Sequence, residues 1–179
     1  MTLSRRRCLQ AALAAAAGTA AWARAQNASQ SLTGPAFEVS PWAGSLAALD
    51  LPDLTGKRWR APDLQGRPVL INFWASWCEP CRAEMPSLQA LADLYGPDKL
   101  QVLAINFKEP AARALRFAQS TGVTLPVLLD AQGQLARTWG VKVFPTTLLI
   151  DSRSLPRKRV QGEVDWTGKA AEKLVSALL

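Results

Sequence analysis

The chain has 179 residues, 49% of them hydrophobic and 20% charged, with a formal net charge of +7. That length suits one domain with a real core. It contains no histidine, which excludes a Cys–His nucleophile, a His-ligated metal and a CxxCH haem-attachment site.

The first 25 residues read as an export signal, with a basic Ser4-Arg5-Arg6-Arg7 start and an alanine-rich stretch from Ala11 to Ala23. Ala23-Arg24-Ala25 fits a small-x-small cleavage site. The paired arginines resemble a bacterial twin-arginine signal. The stretch is short and poor in Leu, Ile and Val for a membrane span, so an uncleaved anchor is the weaker expectation. The segment carries four arginines and no acids, so cleavage would leave a net charge of +3. The basicity is therefore mostly signal, and nucleic-acid binding is not expected. Cys8 would leave with it, and only Cys78 and Cys81 would remain.

Residues 26–45, rich in Gln, Ser, Gly and Pro with little periodicity, read as a flexible N-terminal arm. The domain is expected over 46–179. Leu46–Leu51 and Lys57–Arg60 read as a short hairpin turning at Thr55-Gly56. Val69–Ala75 is an apolar run that predicts a buried strand. Pro80–Tyr95 predicts a helix, because Cys81, Met85, Leu88, Ala92 and Tyr95 recur at three and four. Pro80 falls in its first turn, and Pro86 is expected to kink it.

A second buried strand is expected over Leu100–Phe107. A helix over Pro110–Ser120 would turn Ala114, Leu115 and Ala118 inward and stop at Gly122. A short strand over Leu125–Asp130 precedes a short helix, Gln134–Trp139. Thr146–Asp151 and Arg157–Gln161 read as an antiparallel pair. A last helix, Thr167–Leu179, would be capped by Asp165 with Leu174, Val175 and Leu178 inward. This order predicts an α/β domain: a mixed central sheet, helices on both faces, and an added N-terminal hairpin.

Cys78-Glu79-Pro80-Cys81 lies at the junction of the first buried strand and its helix. Two cysteines at this spacing can close into a small disulfide ring and reopen. Cys78 would meet the unpaired N–H groups and positive dipole end of the helix, which lower a thiol's pKa. Cys81 would lie one turn in, on the apolar face. So small a loop restrains an unfolded chain little, which favours a redox role over a structural one. Structural zinc is not expected with two thiols and no second CxxC.

Phe73 through Pro86, with Cys78, Cys81 and Glu84 inside it, resembles the active-site segment of thioredoxin-like extracytoplasmic disulfide reductases of the TlpA/ResA and CcmG/DsbE kind. Asp50 through Gly66 is similar to the hairpin those domains add, and Gly140 through Thr147 to their cis-proline loop. The resemblance implies a thioredoxin-like fold in which Cys78 attacks a substrate disulfide and Cys81 resolves the mixed disulfide. It implies a thiol-tuning role for Glu84, whose burial would raise its pKa. It implies a cis Pro145, with Phe144 offering its backbone to an extended substrate.

Trp77, Glu79 and Pro80 would border the substrate site. Glu79 is expected to be exposed and to make the disulfide less oxidising; Trp74 and Trp77 are expected mainly to pack around and shield the pair. Trp139 and Trp166 are expected to serve packing alone. Asn72 stands where thioredoxins proper have a buried aspartate and cannot titrate, which leaves Glu84 as the proton carrier. Phe144 is bulkier than is usual in that loop.

The resemblance further implies a periplasmic monomer without organic cofactor or bound metal. Its electrons would come from a membrane dithiol donor of the DsbD/CcdA kind. Its substrate would be a disulfide in an exported protein such as apocytochrome c or a copper-site protein. A net oxidase or isomerase is the alternative, since potentials across this fold span on the order of 150 mV. A copper-binding chaperone on the same fold is a third reading, weakened by the missing histidine. A peroxidase of the peroxiredoxin type is weaker still, because its lone cysteine follows a threonine rather than a tryptophan.

Overall fold

The computed structural model describes residues 36–179. The expected export signal, Cys8 and the first ten residues of the expected arm lie outside them. The strands are β1 (Phe37–Pro41), β2 (Asp50–Pro52), β3 (Arg58–Arg60), β4 (Val69–Trp74), β5 (Gln101–Phe107), β6 (Val127–Asp130), β7 (Thr146–Ile150) and β8 (Pro156–Gly162). The helices are α1 (Glu79–Tyr95), α2 (Ala111–Thr121), α3 (Gln134–Thr138) and α4 (Lys169–Ser176).

Six strands form one sheet in the order β1-β8-β7-β4-β5-β6. β4, β5 and β6 run parallel, whereas β7, β8 and β1 pair antiparallel. The expected mixed sheet is therefore present, and the chain has the thioredoxin-like fold. Every residue of β4 is buried, because both faces of the sheet are covered. The two-residue period of the strand divides the core. Leu70 and Trp74 face a cluster built with Met85 and Leu88 of α1, Ala114 of α2, and Leu174 and Val175 of α4. Val69, Ile71 and Phe73 face the other way, toward Leu135 and Ala136 of α3 and toward Trp42, Leu46, Leu49, Trp59 and Leu64. The segment before β4 thus roofs the face that α3 is too short to cover. Burying one large apolar side chain there is worth ~3 kcal/mol.

The hairpin forms as expected, but its first strand starts at Asp50; Leu46–Ala48 is a 3-10 turn whose start is capped by the Ser45 side chain. Part of the expected arm is ordered. Phe37–Pro41 is an edge strand on β8, held by ladder bonds and by Phe37 packing on the core. Its composition hid it: the strand is mostly exposed with no alternation of burial, and the closing proline is tolerated on an edge.

α1 continues through Pro86, whose lost hydrogen bond falls on the exposed side of the helix. Leu115 is 42% exposed rather than inward, because α2 approaches the core along Ala114 and Ala118, and Leu115 lies a hundred degrees round from Ala114. Asp165 does not cap the last helix. Its carboxylate accepts from the N–H and hydroxyl of Thr167 in a turn, and α4 starts after Gly168.

Candidate active site

β4 ends at Trp74 in the sheet interior, and the chain turns through Ala75–Trp77 into α1. Cys78 occupies the N-cap position in extended conformation, and its own N–H donates to the Ala75 carbonyl at 3.1 Å. The Cys81 N–H, one of the donors a helix start leaves without a partner, donates to Cys78 Sγ at 3.3 Å. Cys78 and Cys81 form a disulfide with an S–S distance of 2.04 Å. The positive end of α1 and this N–H therefore act on the sulfur that would carry the negative charge of a thiolate.

Cys78 is less open than its place at the helix start suggests: it is 6% exposed in the disulfide form, against 1% for Cys81. The residues around it are the accessible ones. Trp77 is 60% exposed, and Glu79 and Pro80 are exposed as well. Trp74, in contrast, is fully buried and packs on Phe117 at 4.7 Å between ring centroids.

The loop between α3 and β7 carries a cis peptide bond between Phe144 and Pro145. It is held at both ends. The Thr146 hydroxyl donates to the Val143 carbonyl at 2.7 Å, and the Gly162 N–H donates to the Pro145 carbonyl at 3.0 Å. The half-buried Phe144 ring lies 4.7 Å from Phe107 and meets Trp77 edge-on at 6.0 Å. Trp77 and Phe144 thus join the helix start to the cis-proline loop.

Glu84 is 2% exposed, one turn beyond Cys81 on the same face of α1. Burial pushes its pKa from 4.5 up to about 7, and the negative charge of Glu163 adds to the rise. Three donors oppose this without cancelling it. Trp166 Nε1 donates at 2.9 Å, the Val164 N–H at 3.1 Å and Asn72 Nδ2 at 2.7 Å. Asn72 also donates to the Thr147 hydroxyl, its partner across β7. A carboxyl titrating near neutrality one turn from a buried cysteine is suited to carrying a proton for it once the pair is reduced.

A family model for the AhpC/TSA family matches residues 44–155. This chain belongs to that family. The matched span contains Cys78, Cys81, Glu84 and Pro145. Within the family, the chain is 38% identical over 112 residues to the thiol-disulfide oxidoreductase ResA of Geobacillus thermodenitrificans, covering 63% of this chain and 64% of that one. Its identity to ResA of Bacillus subtilis is 36%, covering 63% of each. The chain thus spans less than two thirds of the length of these curated relatives. Among solved structures, it superposes with a TM-score of 0.70 on a Chlorobium tepidum protein assigned as the thiol:disulfide interchange protein DsbE. That pair is 31% identical, over 78% of this chain and 99% of the other. The exposed lipoprotein thioredoxin of Streptococcus pneumoniae is also 31% identical, with a TM-score of 0.60 over 72% and 98% of the two chains. The likeness to ResA and DsbE proteins read from the active-site segment is therefore borne out.

Two members of the site escaped the sequence reading. Trp166, expected only to pack, is a hydrogen-bond donor to Glu84. Glu109, in the loop after β5, is 4% exposed and accepts from both the N–H and the hydroxyl of Ser76. Its only signal in the sequence is an acid just ahead of a helix, where acids are common on any surface. Trp139 does pack, against Trp42 and Phe73.

Proposed function

We propose that this chain is an extracytoplasmic thiol–disulfide oxidoreductase that works as a reductant of disulfides in exported proteins. The observation that carries the reading is the Cys81 N–H aimed at Cys78 Sγ from the start of a 17-residue helix. In the reduced protein it would stabilise negative charge on Cys78, which supports different tasks for the two cysteines.

In the reduced protein, the Cys78 thiolate attacks one sulfur of a substrate disulfide. A Cys78–substrate bond forms, the substrate S–S bond breaks, and the first substrate sulfur leaves as a thiolate that takes a proton from solvent. Cys81 then gives its proton to Glu84 and attacks Cys78 Sγ. The Cys78–Cys81 bond forms and the second substrate sulfur leaves with its electron pair. Two electrons have passed to the substrate. Glu84 suits this step because it titrates near neutral pH one turn from the buried Cys81.

Trp77, Phe144 and the cis-proline loop form the accessible rim on which an extended substrate segment would lie, with Glu79 and Pro80 beside it. The expected export signal and the likeness to a lipoprotein described as exposed support a place outside the cytoplasm. No helix among the described residues is long and apolar enough to cross a membrane. Regeneration requires a dithiol donor, for which a membrane protein of the DsbD/CcdA kind is proposed, and apocytochrome c is the proposed substrate.

Reduction of insulin by the dithiothreitol-recharged protein tests the activity. Catalysis above the dithiothreitol background, abolished in Cys78→Ser, is expected. A wild-type rate equal to background removes the proposal.

A further inference from the structure

We propose that Glu109 is a positioning residue for the attacking thiol, acting through Ser76; this rests on the oxidoreductase reading above. Glu109 lies between β5 and α2, outside the cysteine motif and outside the Glu84 network. Its carboxylate is buried and spans three elements. Oε2 accepts from the Ser76 N–H at 2.7 Å and from Asn106 Nδ2 at 2.8 Å, and Oε1 accepts from the Ser76 hydroxyl at 2.6 Å. The half-exposed Arg113 guanidinium on α2 stands 3.7 Å from Oε1. A buried carboxylate is retained at a desolvation cost, which these bonds offset.

Two of the three bonds go to one residue, and that residue lies two positions before Cys78. The turn from β4 into α1 is thereby pinned twice: the Ala75 carbonyl holds the Cys78 N–H, and Glu109 holds Ser76. Lys108, beside Glu109, has φ 53, a left-handed conformation uncommon for a residue other than glycine, and its N–H is tied to the Asp130 carbonyl. The loop that presents Glu109 is therefore itself fixed.

In the disulfide form, the S–S bond adds to these contacts in keeping Cys78 Sγ against the helix start. Once the pair is reduced that restraint is gone. The position of Cys78 Sγ relative to the Cys81 N–H then depends on the turn, and so on Glu109. The effect of removing the carboxylate is concentrated in the reduced state.

The test uses a Cys81→Ser parent, in which Cys78 is the reacting thiol. Glu109→Ala is expected to slow attack of Cys78 on a small aromatic disulfide at neutral pH by roughly 10-fold or more. It is also expected to move the pH midpoint of Cys78 alkylation by iodoacetamide upward. Glu109→Gln keeps an acceptor for the Ser76 N–H and is expected to stay near the parent in rate. A role confined to stability would lower the melting temperature of Glu109→Ala and leave the alkylation midpoint of the folded protein in place, and that result overturns the proposal. Equal impairment by Ala and Gln overturns it too. If Glu109→Ala does not fold, Glu109→Asp, which withdraws the carboxylate from Ser76 by one methylene, carries the same expectation, and a parental rate and midpoint there count against it. Alkylation needs no disulfide substrate. Failure of the protein to reduce insulin would therefore remove the proposed function and leave this readout intact.

Discussion

The indole N–H of Trp166 donates to the Glu84 carboxylate at 2.9 Å, joining residues 82 positions apart in the chain. Trp166 lies in the segment between β8 and α4, and Glu84 on α1, one turn beyond Cys81. The bond stabilises the ionised carboxylate, while burial on every side disfavours it, and the balance leaves Glu84 titrating at about 7.

Stability should therefore fall as pH rises through this window. Below about pH 4.5, Glu84 is protonated in both the folded and the unfolded chain, and it costs folding nothing. As pH rises toward about 7 the unfolded chain ionises first, and the loss grows to on the order of 3 kcal/mol. Above that it is constant. Urea unfolding of the oxidised protein across this range is expected to show the slope, and Glu84→Gln to lack it. Parallel pH profiles for the two proteins would refute the assignment.

Removing the Trp166 donor should push Glu84 further up. Trp166→Phe keeps the apolar bulk and deletes one bond to the ionised form, worth about 1 to 3 kcal/mol for a charged acceptor. The apparent pKa for resolution of a Cys78 mixed disulfide is expected to rise by roughly one unit. Stopped-flow release of a thiol from a preformed mixed disulfide measures it, and an unmoved profile would separate Glu84 from that step.

The two cysteines should differ in trapping. Cys81→Ser is expected to accumulate a mixed disulfide with its physiological substrate on Cys78, seen as a shifted band on a non-reducing gel. Cys78→Ser is expected to trap almost nothing. Comparable trapping by both variants would contradict the asymmetry that the Cys81 N–H imposes.

Trp77 and Phe144 should act on substrate binding and leave the sulfur chemistry alone. Their rings meet edge-on, with Trp77 next to Cys78 in the chain and 60% exposed. Replacing both by alanine is expected to raise KM for a protein disulfide by roughly 10-fold, as loss of an aromatic anchor does. The rate with a small aromatic disulfide should hold. Equal loss on both substrates would instead indicate a role in shaping the thiols.

Asp53 should anchor the added hairpin. Burial alone would raise its pKa, but bonds from the Thr55 hydroxyl, Trp59 Nε1 and the N–H groups of Thr55 and Lys57 hold it below the usual carboxylate value. Asp53→Ala strands the Trp59 N–H in the core and is expected to cost ~2–3 kcal/mol. Calorimetry should register a drop of roughly 5–10 °C in Tm. An unchanged Tm would mean that the hairpin contributes little to the domain.

The order of strands and helices from Val69 onward was legible in the residues, and so was the placing of Cys78 at a helix start. Those features rest on local rules: an unbroken apolar run for β4, recurrence at three and four for α1, and a proline in a first turn. Leu115 shows the limit of such rules, since both Leu115 and Ala114 fit a helical period and only the approach of α2 to the sheet decides which turns inward. The strand Phe37–Pro41 is another limit, since it exists through its pairing with β8 and carries no alternation of its own.

By itself, the sequence determined the chemistry available to this protein: two thiols at helix-start spacing, no histidine, and an acid one turn beyond the second cysteine. Tertiary structure decided how that chemistry is tuned. Glu84 titrates near neutrality because packing buries it, and the bonds it accepts from Asn72, Val164 and Trp166, on three separate stretches of chain, offset that rise only in part. Ser76 is held by Glu109, 33 residues away. Periodicity records which face of an element is apolar, but the partners of a buried polar atom are set by how elements pack, and that information is spread over the whole chain.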